Sequence, residues 1–263
     1  EIKSELDWIM ALRAQSVLHT PRPVATRSGD LIAGFDHDGA TRQVVAFEFA
    51  SGREPDASGD LSAGFEQLGM LTANLHRHSR EWPRPAACER KTWNLDTTIG
   101  ARPHWGDWRE APGLSVAGAN LLQRCVDRLR DELEAFGDSE DRFGLIHADL
   151  RLANLLVDAE RLTVIDFDDC GFGWYVYDFA AAISFIETSP QIPALQQSWA
   201  TGYKSVSPLS RDEENALPMF VMLRRILLTA WIGSHPETPT ATSLGSAYTG
   251  ATVALAEAYL DRD

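Results

Sequence analysis

Cysteine is scarce: Cys88, Cys125 and Cys170 are the only three in 263 residues, and no CxxC spacing joins them. That excludes a disulfide framework and a structural zinc site, and it favours a reducing, cytoplasmic compartment. Positive charge is scarce too, with 24 Lys and Arg against 38 Asp and Glu and a net charge of −14. A nucleic-acid partner is therefore not expected, because phosphate backbones select Lys/Arg-rich faces. No apolar run approaches the roughly 18 residues of a membrane span and no secretory signal opens the chain, so no membrane partner is expected. Repeats and low-complexity tracts are absent. What remains, 44% hydrophobic and 24% charged residues, is the composition of a soluble globular protein with a sizeable core.

Periodicity divides the chain into a short mixed part and a long helical part. Ile2, Leu6, Ile9, Met10 and Leu12 recur at helical spacing over 2–13. Extended runs around Val24–Phe35 and Gln43–Ala50, separated by the turn-rich DHDGA, read as an antiparallel pair. The segment 51–60, SGREPDASGD, is the best linker candidate. After it, Leu61, Phe65, Leu68, Leu71 and Leu75 stripe one helix over 61–78, and a second strong helix runs from Leu121 to Phe136 and stops at Gly137. Between them, 80–114 is rich in Trp, Pro and Arg without periodicity. Leu145–His147, Leu155–Val157 and Leu162–Ile165 are short and β-branched, and the DAER turn makes the last two a hairpin. Helices are expected again over 177–187, 191–204, 211–233 and 243–261.

The chemistry concentrates between 143 and 180. Transfer of a phosphoryl group needs a carboxylate to take the acceptor's proton, oxygen ligands for Mg²⁺ and donors for the phosphates. Asp149 ends an apolar run two residues after His147 and five before Asn154, where a loop can present it to a cleft. Asn154 opens the next strand, and Asp166 closes that hairpin, which brings both near one cleft. This pattern makes Asp149 the base and Asn154 with Asp166 the metal ligands. Asp168 alternates with Asp166 and offers a second metal contact, whereas Asp169 is assigned to solvent or a turn. Arg151 is open between neutralising phosphate and forming a surface ion pair.

HADLRLAN, IDFDD, YDFA and the earlier LHRH together resemble the aminoglycoside phosphotransferase and choline kinase superfamily. The resemblance implies an α+β, protein-kinase-like two-lobed fold, with ATP and Mg²⁺ as cofactors and a small-molecule hydroxyl as acceptor. It implies a small-lobe remnant over 1–50, a hinge near 48–52 and a helical lobe over 51–263 that carries the catalytic loop 147–154 and the metal segment 165–169. By the same resemblance, His147 organises the catalytic loop, Asp178 anchors it, and adenine is read by backbone at Glu48, Phe49 and Ala50.

The same family normally carries a Gly-rich loop and a strand Lys that grips the phosphates and pairs with a helical Glu. Glu5 is the expected paired acid. Lys3, Lys91 and Lys204 do not match the expected Lys, and neither Lys91 nor Lys204 is placed on a strand. Two readings stay open: a kinase whose phosphate-gripping strand lies upstream of Glu1, and a shortened, pseudokinase-like binding protein. The acceptor would meet Trp174, Tyr175, Glu187, Arg224 and Arg225, with Trp105 and Trp108 from the long loop. Aminoglycoside, choline, homoserine and hydroxylysine all remain candidates, as does a protein Ser/Thr. Arg224 and Arg225 interrupt an apolar helix, so at least one requires a carboxylate, Glu187 or Asp178, or a ligand. ATP or GTP preference and oligomeric state are not encoded in these motifs.

Overall fold

The computed structural model describes residues 1–159 and 161–262. Helix α1 (Ile2–Ala14) leads into β1 (Pro23–Val24), β2 (Ala33–His37), β3 (Ala40–Val44) and β4 (Ala46–Phe47). Strands β2 and β3 form an antiparallel hairpin, and β1 pairs antiparallel with β4. The hairpin closes on Asp38 and Gly39 at φ of 50° and 77°. Asp-Gly supplies the two left-handed residues that a tight hairpin turn requires. The expected single run from Val24 to Phe35 is instead broken, because Thr26, Ser28 and Asp30 bond one another in a turn with Gly29 at φ 94°.

Next come α2 (Ser62–Glu81), β5 (Lys91–Trp93), α3 (Leu95–Thr98) and α4 (Val116–Phe136). Strands β6 (Phe143–Ile146), β7 (Leu155–Asp158), β8 (Arg161–Val164) and β9 (Gly171–Trp174) follow, then α5 (Tyr177–Ala182), α6 (Ile192–Lys204), α7 (Arg211–Ser234) and α8 (Pro239–Leu260). Strand β9 is central in a three-stranded sheet, parallel to β5 and antiparallel to β6. Its sequence, GFGW, has too little apolar alternation to be legible as a strand. The expected hairpin is β7 and β8, with Leu155 opposite Val164; within its DAER turn, Glu160 lies outside the described residues.

Several boundaries move. Helix α5 ends at Ala182 rather than 187, with Phe185 in the left-handed region at φ 71°. Helix α8 starts at Pro239, four residues before the expected 243, and bends at Gly245. Helix α7 is long and apolar enough to cross a membrane by composition, contrary to the sequence reading, but most of it is buried within the protein. Trp8, Ile9 and Leu12 of α1 join the same buried cluster as Leu75, Ile146, Phe167 and Leu223, so α1 is part of the main core.

Helices α2 and α6 cross in backbone contact at two glycines. A Cβ on Gly69 would overlap the Trp199 carbonyl, and one on Gly202 would overlap the Glu66 carbonyl. Alanine ordinarily stabilises a helix by about 1 kcal/mol relative to glycine. Here the sign should reverse: Gly202→Ala is expected to destabilise the protein by about 1–3 kcal/mol through overpacking, measured by urea unfolding followed by circular dichroism.

Candidate active site

The catalytic loop hangs from one buried carboxylate. Asp178, at the start of α5, accepts from the backbone N–H groups of His147 at 3.2 Å and Ala148 at 2.7 Å, and from His76 Nε2 at 3.0 Å. His76 Nδ1 in turn meets the Tyr203 hydroxyl at 3.1 Å. These bonds hold Ala148 at φ 65°, a conformation unfavourable for alanine, and so aim the next residue, Asp149. His147 is fully buried; its Nδ1 accepts from the Asp149 N–H at 3.3 Å, and its ring packs against Phe167 at 4.4 Å. Trp8 of α1 meets the same Phe167 edge-on, so ring contacts link α1, the 165–169 segment and the 147–154 loop.

Asp149 receives three donors. Arg224 Nη2 binds Oδ1 at 2.5 Å, while Asn154 Nδ2 at 2.7 Å and Arg151 Nε at 3.2 Å bind Oδ2. Asn154 also donates to the Asp149 carbonyl at 2.9 Å, which leaves its Oδ1 as the atom able to face a cation. Asp166 stands at φ 63° beside this group. Its pKa is raised, first by burial and then by the neighbouring Asp149 carboxylate. Among the described residues no ready-made cluster of three or more His, Cys, Asp or Glu side chains is arranged to hold a metal ion, so a cation held here by Asp166 and Asn154 would take one carboxylate and one amide oxygen from the protein. That donor set fits Mg²⁺, which commonly takes one or two carboxylates and completes its shell with water and phosphate oxygens.

Two cavities meet at Asp166. One, of about 410 Å³, is lined by Glu5, Phe47, Glu48, Phe49, Ala50 and Asp166 among others. It unites the expected hinge with the expected helical acid. The Glu48 side chain is engaged by Arg22, and the Phe49 side chain is almost wholly exposed. The other, of about 170 Å³, contains Asp149, Arg151, Asp166, Asp169 and Arg224, walled by Trp105, Phe185, Leu228 and Trp231.

Several sequence expectations are redistributed. Asp168 does not line either of these cavities; its largely exposed carboxylate lies 3.8 Å from Lys91, whereas Asp169 is inside the smaller cavity and bonds Lys91 Nζ at 2.7 Å. Lys91 is on a strand after all, β5. Burial opposes its charge, yet Asp169 and Asp168 outweigh burial and hold its pKa above the ordinary value. Glu5 faces Arg90 at 3.7 Å, and burial raises its pKa despite that partner. Trp174 and Tyr175 lie elsewhere: Trp174 donates to the Gly137 carbonyl, and Tyr175 packs on His76 under the Arg80 guanidinium. Trp108 is buried and also outside the Asp149 cavity. Glu187 and Arg225 form a buried ion pair at 2.5 Å, tied to Tyr248 and Thr252. Phe185, Leu228 and Trp231 are cavity residues that sequence reasoning missed; Leu228 and Trp231 stand four and seven residues beyond Arg224, the spacing of one helical face.

The phosphotransferase enzyme family model matches residues 1–209. The chain belongs to that family. It is a kinase-type phosphotransferase with an alcohol group as acceptor, and its fold is protein-kinase-like. A microcompartment-associated aminopropanol kinase structure is 46% identical, with a TM-score of 0.91, over 99% of this chain and 81% of that one. The amicoumacin kinase of Bacillus subtilis is 26% identical over 85% of this chain and 67% of its own length. A homoserine kinase of Neisseria meningitidis is 35% identical, but over 57% of this chain and 47% of its own length. The chain thus spans about half to two thirds of these two relatives.

The anchor of the loop makes stability depend on pH. Burial pulls the His76 pKa below its ordinary 6.5 although Asp178 opposes this, and burial lowers that of His78 as well. The unfolded chain therefore binds protons first, and the stability contribution, complete above about pH 6.5, is lost as pH falls below it. Thermal unfolding from pH 8 to 5 should show stability declining once the pH falls below about 6.5, with the decline reduced in His76→Gln.

Proposed function

We propose that this protein transfers the γ-phosphoryl group of ATP to the hydroxyl of a small amino alcohol. One observation carries the reading: Asp166 borders both the cavity with the hinge backbone and the cavity with Asp149, so a metal–phosphate centre at Asp166 would face donor on one side and acceptor on the other. The smaller cavity, about 170 Å³, is close to the size that admits a benzene ring, roughly six heavy atoms. A short amino alcohol fits that space.

Charge favours the same class. Three carboxylates, Asp149, Asp166 and Asp169, share the cavity with two guanidinium groups, Arg151 and Arg224, and Lys91 bonds Asp169, so no excess positive charge is present to repel an ammonium group. Trp105, Phe185 and Trp231 add apolar aromatic wall for the carbon skeleton of the acceptor. Arg224 is engaged by Asp149 and Arg225 by Glu187, so neither guanidinium is free for an amino-acid carboxylate. The similarity to an aminopropanol kinase supports this choice.

Asp149 accepts the hydroxyl proton as the acceptor oxygen bonds to the γ-phosphorus and the bond from that phosphorus to the ADP oxygen breaks. Asn154 and Asp166 would hold Mg²⁺, which when bound screens the phosphates from the surrounding carboxylates. The backbone of 48–50 would hold the adenine, and Asp178 maintains the loop that points Asp149 at the acceptor.

Two outcomes are expected. Asp149→Asn should lower turnover of 1-aminopropan-2-ol by roughly 10²–10⁴-fold in a coupled ADP-release assay; equal turnover would refute the assignment of the base. Mg²⁺ and ATP together should raise the melting temperature by about 5–10 °C at a hundredfold excess over Kd, and Asp166→Asn should abolish that rise.

A further inference from the structure

We infer that Arg224 is a positioning residue for the base, and that α7 sets the alignment of base and acceptor from a single helix face. The inference rests on the kinase reading above. Arg224 is 1% exposed and its guanidinium is held from four sides: Nε donates to Ser184 Oγ at 3.1 Å, Nη1 to the Ala148 carbonyl and the Tyr177 hydroxyl at 3.2 Å each, and Nη2 to Asp149 at 2.5 Å. The Trp105 ring covers it at 5.0 Å.

A carboxylate has about four lone-pair directions, and Asp149 has three of them occupied. The fourth must meet the acceptor hydroxyl. Of the three donors, Asn154 and Arg151 belong to the catalytic loop and would move with it. Arg224 alone comes from another element. It grips both the carboxylate and the preceding carbonyl, so it fixes the carboxylate plane relative to α7 rather than to the loop.

The same helix face builds the acceptor wall. Arg224, Leu228 and Trp231 follow one another at i, i+4 and i+7, and all three line the small cavity. An acceptor seated against Leu228 and Trp231 therefore meets a base whose direction is referenced to the same rigid helix. This is the preorganisation that holds reacting atoms in attack geometry, where a misplacement of about 1 Å can cost 10²-fold in rate. Lysine could not reproduce it, because a point ammonium lacks the planar fork that reaches Ser184, Tyr177, Ala148 and Asp149 together.

The test compares Arg224→Met, Arg224→Lys, Arg224→Ala and Ser184→Ala with the unaltered protein, using 1-aminopropan-2-ol and MgATP. Arg224→Met should lower kcat by about 10²-fold while acceptor KM and the MgATP-induced melting shift stay unchanged, and Arg224→Lys should recover only part of the loss. Ser184→Ala, which removes a single bond to the guanidinium, should show a smaller loss of kcat with the same split. Free guanidinium should restore turnover in Arg224→Ala. Amide exchange over residues 147–154 should rise in Arg224→Met and remain unchanged elsewhere, a readout independent of turnover. A raised KM with kcat retained, full activity of Arg224→Lys, or unaltered exchange in the loop would overturn the inference. Should Arg224→Met fail to fold, unchanged kcat and exchange in Ser184→Ala would overturn it. Absence of any turnover by the unaltered protein refutes the substrate reading instead, and the exchange result still decides the role of Arg224.

Discussion

The site depends on one buried charge with three donors. Asp178 is fully buried, and a carboxylate removed from water is tolerable only when hydrogen bonds replace hydration. Two of its donors are consecutive backbone amides of the catalytic loop, and the third is a histidine from α2. The histidine is supported by Tyr203 of α6, which reaches it because Gly69 and Gly202 let α2 and α6 approach to backbone contact. Small residues at a helix crossing thus determine, through His76 and Asp178, where Asp149 points.

A second constraint is electrostatic. Asp149, Asp166 and Asp169 share a small cavity, and like charges in a desolvated space raise one another's free energy. The protein offsets each differently: Asp149 by Arg224, Arg151 and Asn154, and Asp169 by Lys91, while the described contacts give Asp166 no cation and its pKa is raised. The carboxylate left without a cation lies where the two cavities meet.

The element pattern was largely legible in the chain because amphipathic stripes report burial directly. Helix α2 follows its leucine and aromatic stripe closely, α4 ends at the expected Phe136 but begins at Val116 rather than Leu121, α6 matches its expected range to within a residue, and the β7–β8 hairpin follows its β-branched runs. Strand β9 was not legible, since a sequence alternating Gly with Phe and Trp owes its strand state to partners at Lys91–Trp93 and Phe143–Ile146. The same pairing explains Lys91: a residue in an aperiodic stretch becomes a strand residue only when β9 supplies a neighbour. Asp168 and Asp169 are placed differently from what alternation implies: alternation assumes extended backbone, which Asp166 at φ 63° does not adopt, and Asp169 lines the cavity while Asp168 is largely exposed.

Local chemistry was written in the order of residues: HADLRLAN and IDFDD name a loop carboxylate, an amide and a second carboxylate, and the reaction class follows from those types at that spacing. Their surroundings depend on distance in space, which spacing along a chain does not encode. That Arg224 would clamp Asp149 from 75 residues away while its neighbour Arg225 turned to Glu187 depends on the rotation of α7 against the core. Both arginines needed a partner because a buried charge must be paired; the packing of one helix selected which carboxylate each received, and it placed Arg224 but not Arg225 in the wall of the small cavity.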